Sequence, residues 1–195
     1  MLTPEKIALQ LYTVRHESAK DFAGTLRKVA EIGYPAVELA GYGDLTATEV
    51  RSILDDCGLT APSAHIPLVM FESRLDQVLE DAVTIGCNYV VVPFLPPDQR
   101  DHDHVQAVAA LLNLAGGAAR DAGLVLAYHN HDFEYKPLQG GQDGETLFDY
   151  LLSNTDPDLV AFELDVFWTR VAGIDSVTEL SRLRGRVPLL HLKDY

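Results

Sequence analysis

Val125-Leu126-Ala127-Tyr128-His129-Asn130-His131 is a short apolar run that closes on polar residues. The same phrase recurs at Ile7–Thr13, Ala36–Gly41, Ala61–Pro67, Tyr89–Phe94, Val160–Trp168 and Pro188–Tyr195. Successive starts lie 25 to 36 residues apart. That is room for one strand, one helix and two short loops.

The stretches between the runs read as amphipathic helices. Ser18 is expected to cap a helix whose Phe22, Leu26 and Val29 share a face, with Gly33 as its stop. Thr46 and Glu49 form a capping box before Val50, Ile53 and Leu54, and Gly58 follows. Ser73 opens a third helix and Gly86 ends it; Val105 to Ala115 form the longest, ending near Gly123. A shorter helix covers Leu147 to Leu152, and Ser176 with Glu179 makes a further capping box. Asp98–His104, with His102 and His104, reads as a solvated loop, and Arg182, Arg184 and Arg186 as an exposed helix end.

Strict alternation of strand and helix predicts parallel strands with right-handed crossovers, in an open doubly wound sheet or a closed barrel. No glycine-rich phosphate loop follows the first strand, as a nucleotide-binding open sheet requires. Polar residues instead end nearly every strand: Gln10, Glu38, His65, His129, His131, Asp165 and His191. Active sites of (β/α)₈ TIM barrels are built from that rim. The expected fold is therefore an α/β single-domain TIM barrel over residues 1–195. Seven strands fit, whereas a full barrel takes about 250 residues. The chain thus reads as truncated after the seventh strand, lacking a last α-β-α portion. Its first and seventh strands are then bare edges, and a homo-oligomer is one way to cover them.

The 195 residues are 47% hydrophobic and 23% charged, as in a globular protein. Fifteen Lys and Arg against 29 Asp and Glu leave a formal charge of −14, which opposes broad contact with nucleic acid or an anionic membrane. No apolar stretch is long enough to span a bilayer, and Met1–Lys6 carries no secretory pattern. Cys57 and Cys87 show neither metal nor redox spacing and read as structural, which fits a cytoplasmic setting.

The densest chemistry lies in Tyr128-His129-Asn130-His131-Asp132-Phe133-Glu134. Alternate strand residues point the same way, so His129 and His131 share a face, as do Glu163 with Asp165 and His191 with Lys193. Imidazoles and carboxylates converging from three neighbouring strands bind a divalent ion such as Mn²⁺, Zn²⁺, Co²⁺ or Mg²⁺. The other reading is that they hold loops together by hydrogen bonds and ion pairs. Gln10, Glu38, His65 and Trp168 are candidates to line a substrate pocket: Glu38 for a sugar hydroxyl, Trp168 for stacking on a ring.

These residues also carry a resemblance. Leu9-Gln10-Leu11-Tyr12-Thr13-Val14-Arg15, Val37-Glu38-Leu39-Ala40-Gly41, the segment from Tyr128 to Glu134 and Leu190-His191-Leu192-Lys193-Asp194 resemble the sugar phosphate isomerase/epimerase family with the xylose isomerase-like TIM barrel. The resemblance implies metal-dependent enzymes that isomerise or epimerise sugars, with relatives that dehydrate inososes or cut DNA at abasic sites. It implies Asp165 and His191 as metal ligands after the sixth and seventh strands. Many members read Glu-Asn-His where this chain has His129-Asn130-His131, so Glu134 takes the carboxylate role. That departure resembles the inosose dehydratase-like branch. The family's last ligand, a Glu after the eighth strand, would lie beyond Tyr195.

The expected chemistry is a cation held by Glu134, Asp165 and His191 that polarises a carbonyl of a small sugar or polyol. His131 or His129 moves the proton, and Lys193 offsets charge on oxygen. Reprotonation gives an isomerase or epimerase; loss of a β-substituent gives a lyase or dehydratase. A non-catalytic sugar-binding module and an inactive fragment are the alternatives of another class.

Overall fold

The computed structural model describes residues 6–193; Met1–Glu5, and the Asp194 and Tyr195 of the closing motif, lie outside them. Seven strands are formed: β1 Ala8–Gln10, β2 Ala36–Ala40, β3 Thr60–His65, β4 Tyr89–Val92, β5 Val125–His129, β6 Val160–Asp165 and β7 Leu189–His191. They lie in one sheet in the order β1 to β7, each parallel to its neighbours in sequence. A doubly wound sheet reverses its strand order at a switch point; this one does not. The sheet is also rolled, because His191 on β7 meets Glu38 on β2 across 153 residues of sequence. It is a curled seven-stranded portion of a TIM barrel. Among the described residues β1 and β7 each have a single strand neighbour.

The helices are α1 Arg15–Ser18, α2 Phe22–Ile32, α3 Ala47–Cys57, α4 Leu68–Ile85, α5 His102–Asp121, α6 Leu147–Asn154, α7 Val166–Val171 and α8 Ser176–Arg182. Among the described residues no helix is long and apolar enough to cross a membrane. One buried cluster joins Val37, Leu39, Val90, Leu126, Tyr128, Phe162 and Leu164 of the strands to Leu26, Leu54, Leu112 and Leu151 of the helices. The main core thus lies between sheet and helices. The alternate strand residues, Glu38, Ser63, His65, His129, Glu163, Asp165 and His191, face the inside of the curl. That parity is what collects the polar residues in one place. Close packing elsewhere depends on Gly116 of α5, where a Cβ would sit 2.5 Å from the Leu159 carbonyl oxygen.

Several helix starts differ from the sequence expectation by a short step. Asp21, rather than Ser18, caps α2, its Oδ1 accepting the Gly24 N–H at 2.8 Å. Asp175, rather than Ser176, caps α8 through Thr178 N–H at 2.8 Å. Ser18 is instead the last residue of α1, its hydroxyl donating to the Val14 carbonyl, while at α8 the Asp175 carboxylate also meets the positive end of the helix dipole. The third expected helix begins at Leu68, not Ser73, and absorbs a kink at Arg74. The stretch read as a solvated loop around His102 and His104 is the first turn of α5, capped by Asp101. The capping box at Thr46 and Glu49 and the left-handed Gly58 that ends α3 are formed as expected.

The arginines near residue 184 are not simply an exposed helix end. Arg182 pairs with Glu179 and Asp149. Arg186 donates to the carbonyls of Leu152 and Val160 and to Thr155 Oγ1, and lies over the Phe162 ring. Both tie the chain before β7 to α6 and β6.

Candidate active site

Strand register sets the site. His129 on β5 stands opposite Glu163 on β6, and Asp165 stands opposite His191 on β7. One atom each from His65, His129, Glu163 and His191 fall within 4.8 Å of one another. Glu163 Oε2 lies 2.7 Å from His65 Nε2, 3.3 Å from His129 Nδ1 and 3.3 Å from His191 Nε2. Glu38 closes the far side: its Oε1 is 2.7 Å from His191 Nε2 and 3.1 Å from His65 Nε2, and its Oε2 accepts from Ser63 Oγ at 2.5 Å. Glu38, His129, Glu163 and Asp165 are all buried.

Burial alone would raise both glutamates, but their surroundings drive them apart. Burial, with Glu38 as a neighbour, pushes Glu163 up to about 7. In Glu38 the hydrogen bonds from His191 and His65 outweigh burial and hold it well below the usual carboxylate range. Burial would lower His191, yet the carboxylates of Asp165 and Glu38 beside it carry it up to about 10. His129 goes the other way: burial and the neighbouring imidazoles keep it neutral, well below the ordinary histidine value. Its Nδ1 is buried without a hydrogen-bond partner. A buried imidazole nitrogen with no partner, facing a carboxylate and two more imidazoles, fits a divalent cation and costs free energy otherwise.

Asp165 borders this group. Its Oδ2 lies 3.7 Å from His191 Nδ1 and 3.8 Å from His129 Nε2, while Lys193 Nζ approaches it to 2.7 Å. Its Oδ1 caps α7 through Trp168 N–H, and its own N–H donates to the buried Asn130 Oδ1. Burial would raise Asp165, but the His191 imidazole and the Lys193 ammonium beside it lower it. Lys193 spans the Phe167 and Trp168 rings as it reaches across.

His131 stands one step further out. Its ring packs against Phe94, Phe133, Trp168 and His129, with centroids 4.9 to 5.6 Å away. Burial lowers it to about 4, so it is neutral at physiological pH. Glu134 does not join Asp165 and His191. A 3₁₀ turn at Phe133–Tyr135 carries it back under the sheet, where it is fully buried. There it accepts from Tyr128 Oη at 2.8 Å and from the His131 N–H at 2.7 Å. Tyr128 faces the helix layer, so its partner Glu134 lies behind the strand and not inside the curl.

Of the sequence candidates, His65, His129, Asp165, His191 and Lys193 are brought together with Glu38. Gln10 touches His65 through its amide nitrogen at 3.2 Å. Trp168 packs beside His131. Glu163 holds the centre of the group, yet in the sequence it stood out only by sharing a face with Asp165. Phe94, Ser63 and Asn130 gave no sequence signal beyond their strand ends.

Residues 26–195 match the family described as the xylose isomerase-like TIM barrel, and the chain belongs to it. An inosose dehydratase of Geobacillus kaustophilus (strain HTA426) is 26% identical over 194 aligned residues, covering 87% of this chain and 60% of that protein. An inosose dehydratase of Lacticaseibacillus casei is 29% identical over 100 residues, covering 50% of this chain and 32% of that protein. The chain thus spans less than two thirds of the length of these curated relatives. The crystal structure of a sugar phosphate isomerase/epimerase from Parabacteroides distasonis ATCC 8503 superposes with a TM-score of 0.86 at 29% identity, covering 99% of this chain and 76% of that one.

Proposed function

We propose that this member of the xylose isomerase-like TIM-barrel family removes a proton next to the carbonyl of a small sugar or polyol, as a divalent-metal-dependent isomerase or epimerase. The observation that carries the reading is the group of His65, His129, Glu163 and His191, in which His129 and Glu163 are buried. Two seats adjoin these imidazoles. At Asp165 the Lys193 ammonium already supplies a positive charge. At Glu163, among the described residues, no lysine or arginine does, so His129, Glu163 and His191, with His65 beside them, would hold the ion. Three imidazoles and a carboxylate suit Zn²⁺, Co²⁺ or Mn²⁺ better than Mg²⁺. A bound ion supplies a Lewis acid for the substrate carbonyl.

The chain's own residues do the rest. His131, neutral and at the edge of the group, accepts the proton from carbon. Lys193 lies where it offsets charge developing on oxygen. Trp168 offers a face to an apolar side of the substrate. Glu38, inside the curl, stays a carboxylate available to a hydroxyl.

The test is proton exchange. The chain loaded with Zn²⁺ or Mn²⁺ is incubated in D₂O with ketoses and inososes. Deuterium gained at the carbon beside the carbonyl is the expected result. Binding by calorimetry without exchange would leave a sugar-binding module instead.

A second reading, dehydration, has its own support: His129 replaces the usual glutamate, and the curated relatives above are inosose dehydratases. Loss of water to a conjugated ketone, seen by ultraviolet absorbance, would select it over epimerisation.

A further inference from the structure

We propose that Glu134, anchored by Tyr128, is a positioning residue for the reaction: from behind the sheet it fixes the backbone of His131 and so sets where the proton-accepting imidazole stands. The proposal rests on the proton-removal reading above, and its test separates the two.

β5 ends at His129, so His131 lies past the last rung that β5 shares with β6. Beyond the ladder its N–H is taken by a side chain, Glu134 Oε2, at 2.7 Å. The other oxygen of the same carboxyl group accepts from Tyr128 Oη at 2.8 Å. Tyr128 is fully buried against the helix layer, where close packing leaves its ring little room to move. The anchor thus runs from the core, through Glu134, to the amide of His131. A carboxyl group accepts that N–H whether or not it is ionised, so the tether does not depend on its charge.

The same turn also guides the ring. Phe133 lies nearly parallel to the His131 imidazole, at 13° with centroids 5.6 Å apart. The Arg100 guanidinium covers the Phe133 ring at 3.3 Å from its centroid, and two bonds of 2.9 and 2.7 Å tie it to the Leu95 carbonyl. Backbone and neighbouring ring are therefore both set before a substrate arrives.

A carboxyl group in a core costs free energy that its hydrogen bonds only offset, and an apolar side chain would serve packing alone. What Glu134 adds is a fixed acceptor for one backbone N–H, that of the residue assigned the proton transfer. A group displaced by about 1 Å from its productive place can cost on the order of 10²-fold in rate. The two bonds reach neither His129, Glu163 nor His191, so losing them should slow turnover and leave the ion in place.

The experiment takes the Zn²⁺-loaded chain in D₂O with D-fructose and an inosose as probes. It reads kcat and KM for exchange, zinc content, and the NMR signals of His131. Glu134→Leu fills most of the space without an acceptor. It should lower kcat by about 10 to 100-fold, with KM and zinc content within about twofold. Glu134→Gln keeps an acceptor for the His131 N–H and should bring kcat back to within about threefold of the unsubstituted chain. The His131 amide should exchange slowly with solvent in the unsubstituted chain and in Glu134→Gln. In Glu134→Leu it should exchange faster, and the Overhauser contacts from its ring to Phe94 and Trp168 should weaken. Tyr128→Phe, a milder change that decides the matter if Glu134→Leu does not fold, should lower kcat by about 3 to 10-fold and speed the same amide. Unchanged kcat and an unchanged His131 amide in the variant that folds, or Glu134→Gln falling as far as Glu134→Leu, would overturn the proposal. Zinc lost from Glu134→Leu would overturn it too, by making Glu134 part of the ion site. If the unsubstituted chain exchanges neither probe, the proton-removal reading fails, while the His131 amide and ring contacts still decide what Glu134 holds.

Discussion

His191 Nε2 donates to Glu38 Oε1 at 2.7 Å, joining the last described strand to the second. The second and seventh strands are therefore held across the curl by a charged pair whose Glu38 is buried. A proton occupies the place on His191 that a cation would need.

Metal uptake should consequently release protons. His191 is carried up to about 10 in the free protein, so at pH 7 it starts protonated. Affinity for Zn²⁺ should rise with pH, and calorimetry in buffers of different ionisation enthalpy should detect on the order of one proton released per ion. Affinity that is flat between pH 6 and 9 would separate His191 from the ion.

Substituting His131 by Phe should preserve its ring stack against Phe94 and Phe133 while removing the proton acceptor. Exchange in D₂O should fall by about 10² to 10⁴-fold with bound metal unchanged. Metal lost together with activity would make His131 a ligand instead.

Lys193→Met should lower turnover by roughly a hundredfold, the cost of removing one charge-stabilising group. Metal content by elemental analysis should not change, since Lys193 contacts Asp165 and not Glu163.

Glu134 offers a pH-linked test of stability. Burial pushes it from 4.5 up to about 7, against the opposing bonds from Tyr128 and the His131 N–H. A raised folded value means the protonated form stabilises the fold. That contribution is full below pH 4.5 and is lost as pH rises through about 7. Urea unfolding of the unsubstituted chain relative to Glu134→Gln should therefore show a stability difference that declines across this window, by about 3 kcal/mol at most. A difference that grows with pH would reverse the assignment.

Two adjacent glycines of α5 give a packing control. At Gly116 an added Cβ would strike the Leu159 carbonyl, whereas at Gly117 it would meet nothing within 4 Å. Gly116→Ala should cost about 1–3 kcal/mol. Gly117→Ala should gain up to about 1 kcal/mol from helix propensity.

Period and parity made much of this legible in the sequence. Seven apolar runs at regular spacing specified the strands, and alternation within each run turned His129, Asp165 and His191 inward. Parity breaks where a strand stops. Glu134 lies five residues past His129, and the intervening 3₁₀ turn, invisible to a two-residue period, folds it back to Tyr128. Glu163 gained its central place only through the curl, which brings His65 from three strands away to within 2.7 Å. Arg186 was equally illegible, because its partners are mostly carbonyl oxygens, which any residue supplies.

Anomalous diffraction from crystals of the chain soaked in Zn²⁺ tests the central claim most directly. The account predicts one strong peak inside the curl, roughly 2.0–2.3 Å from a nitrogen of His129, a nitrogen of His191 and an oxygen of Glu163. A peak on Asp165 with Lys193 displaced, or no peak at these residues at saturating zinc, would contradict it.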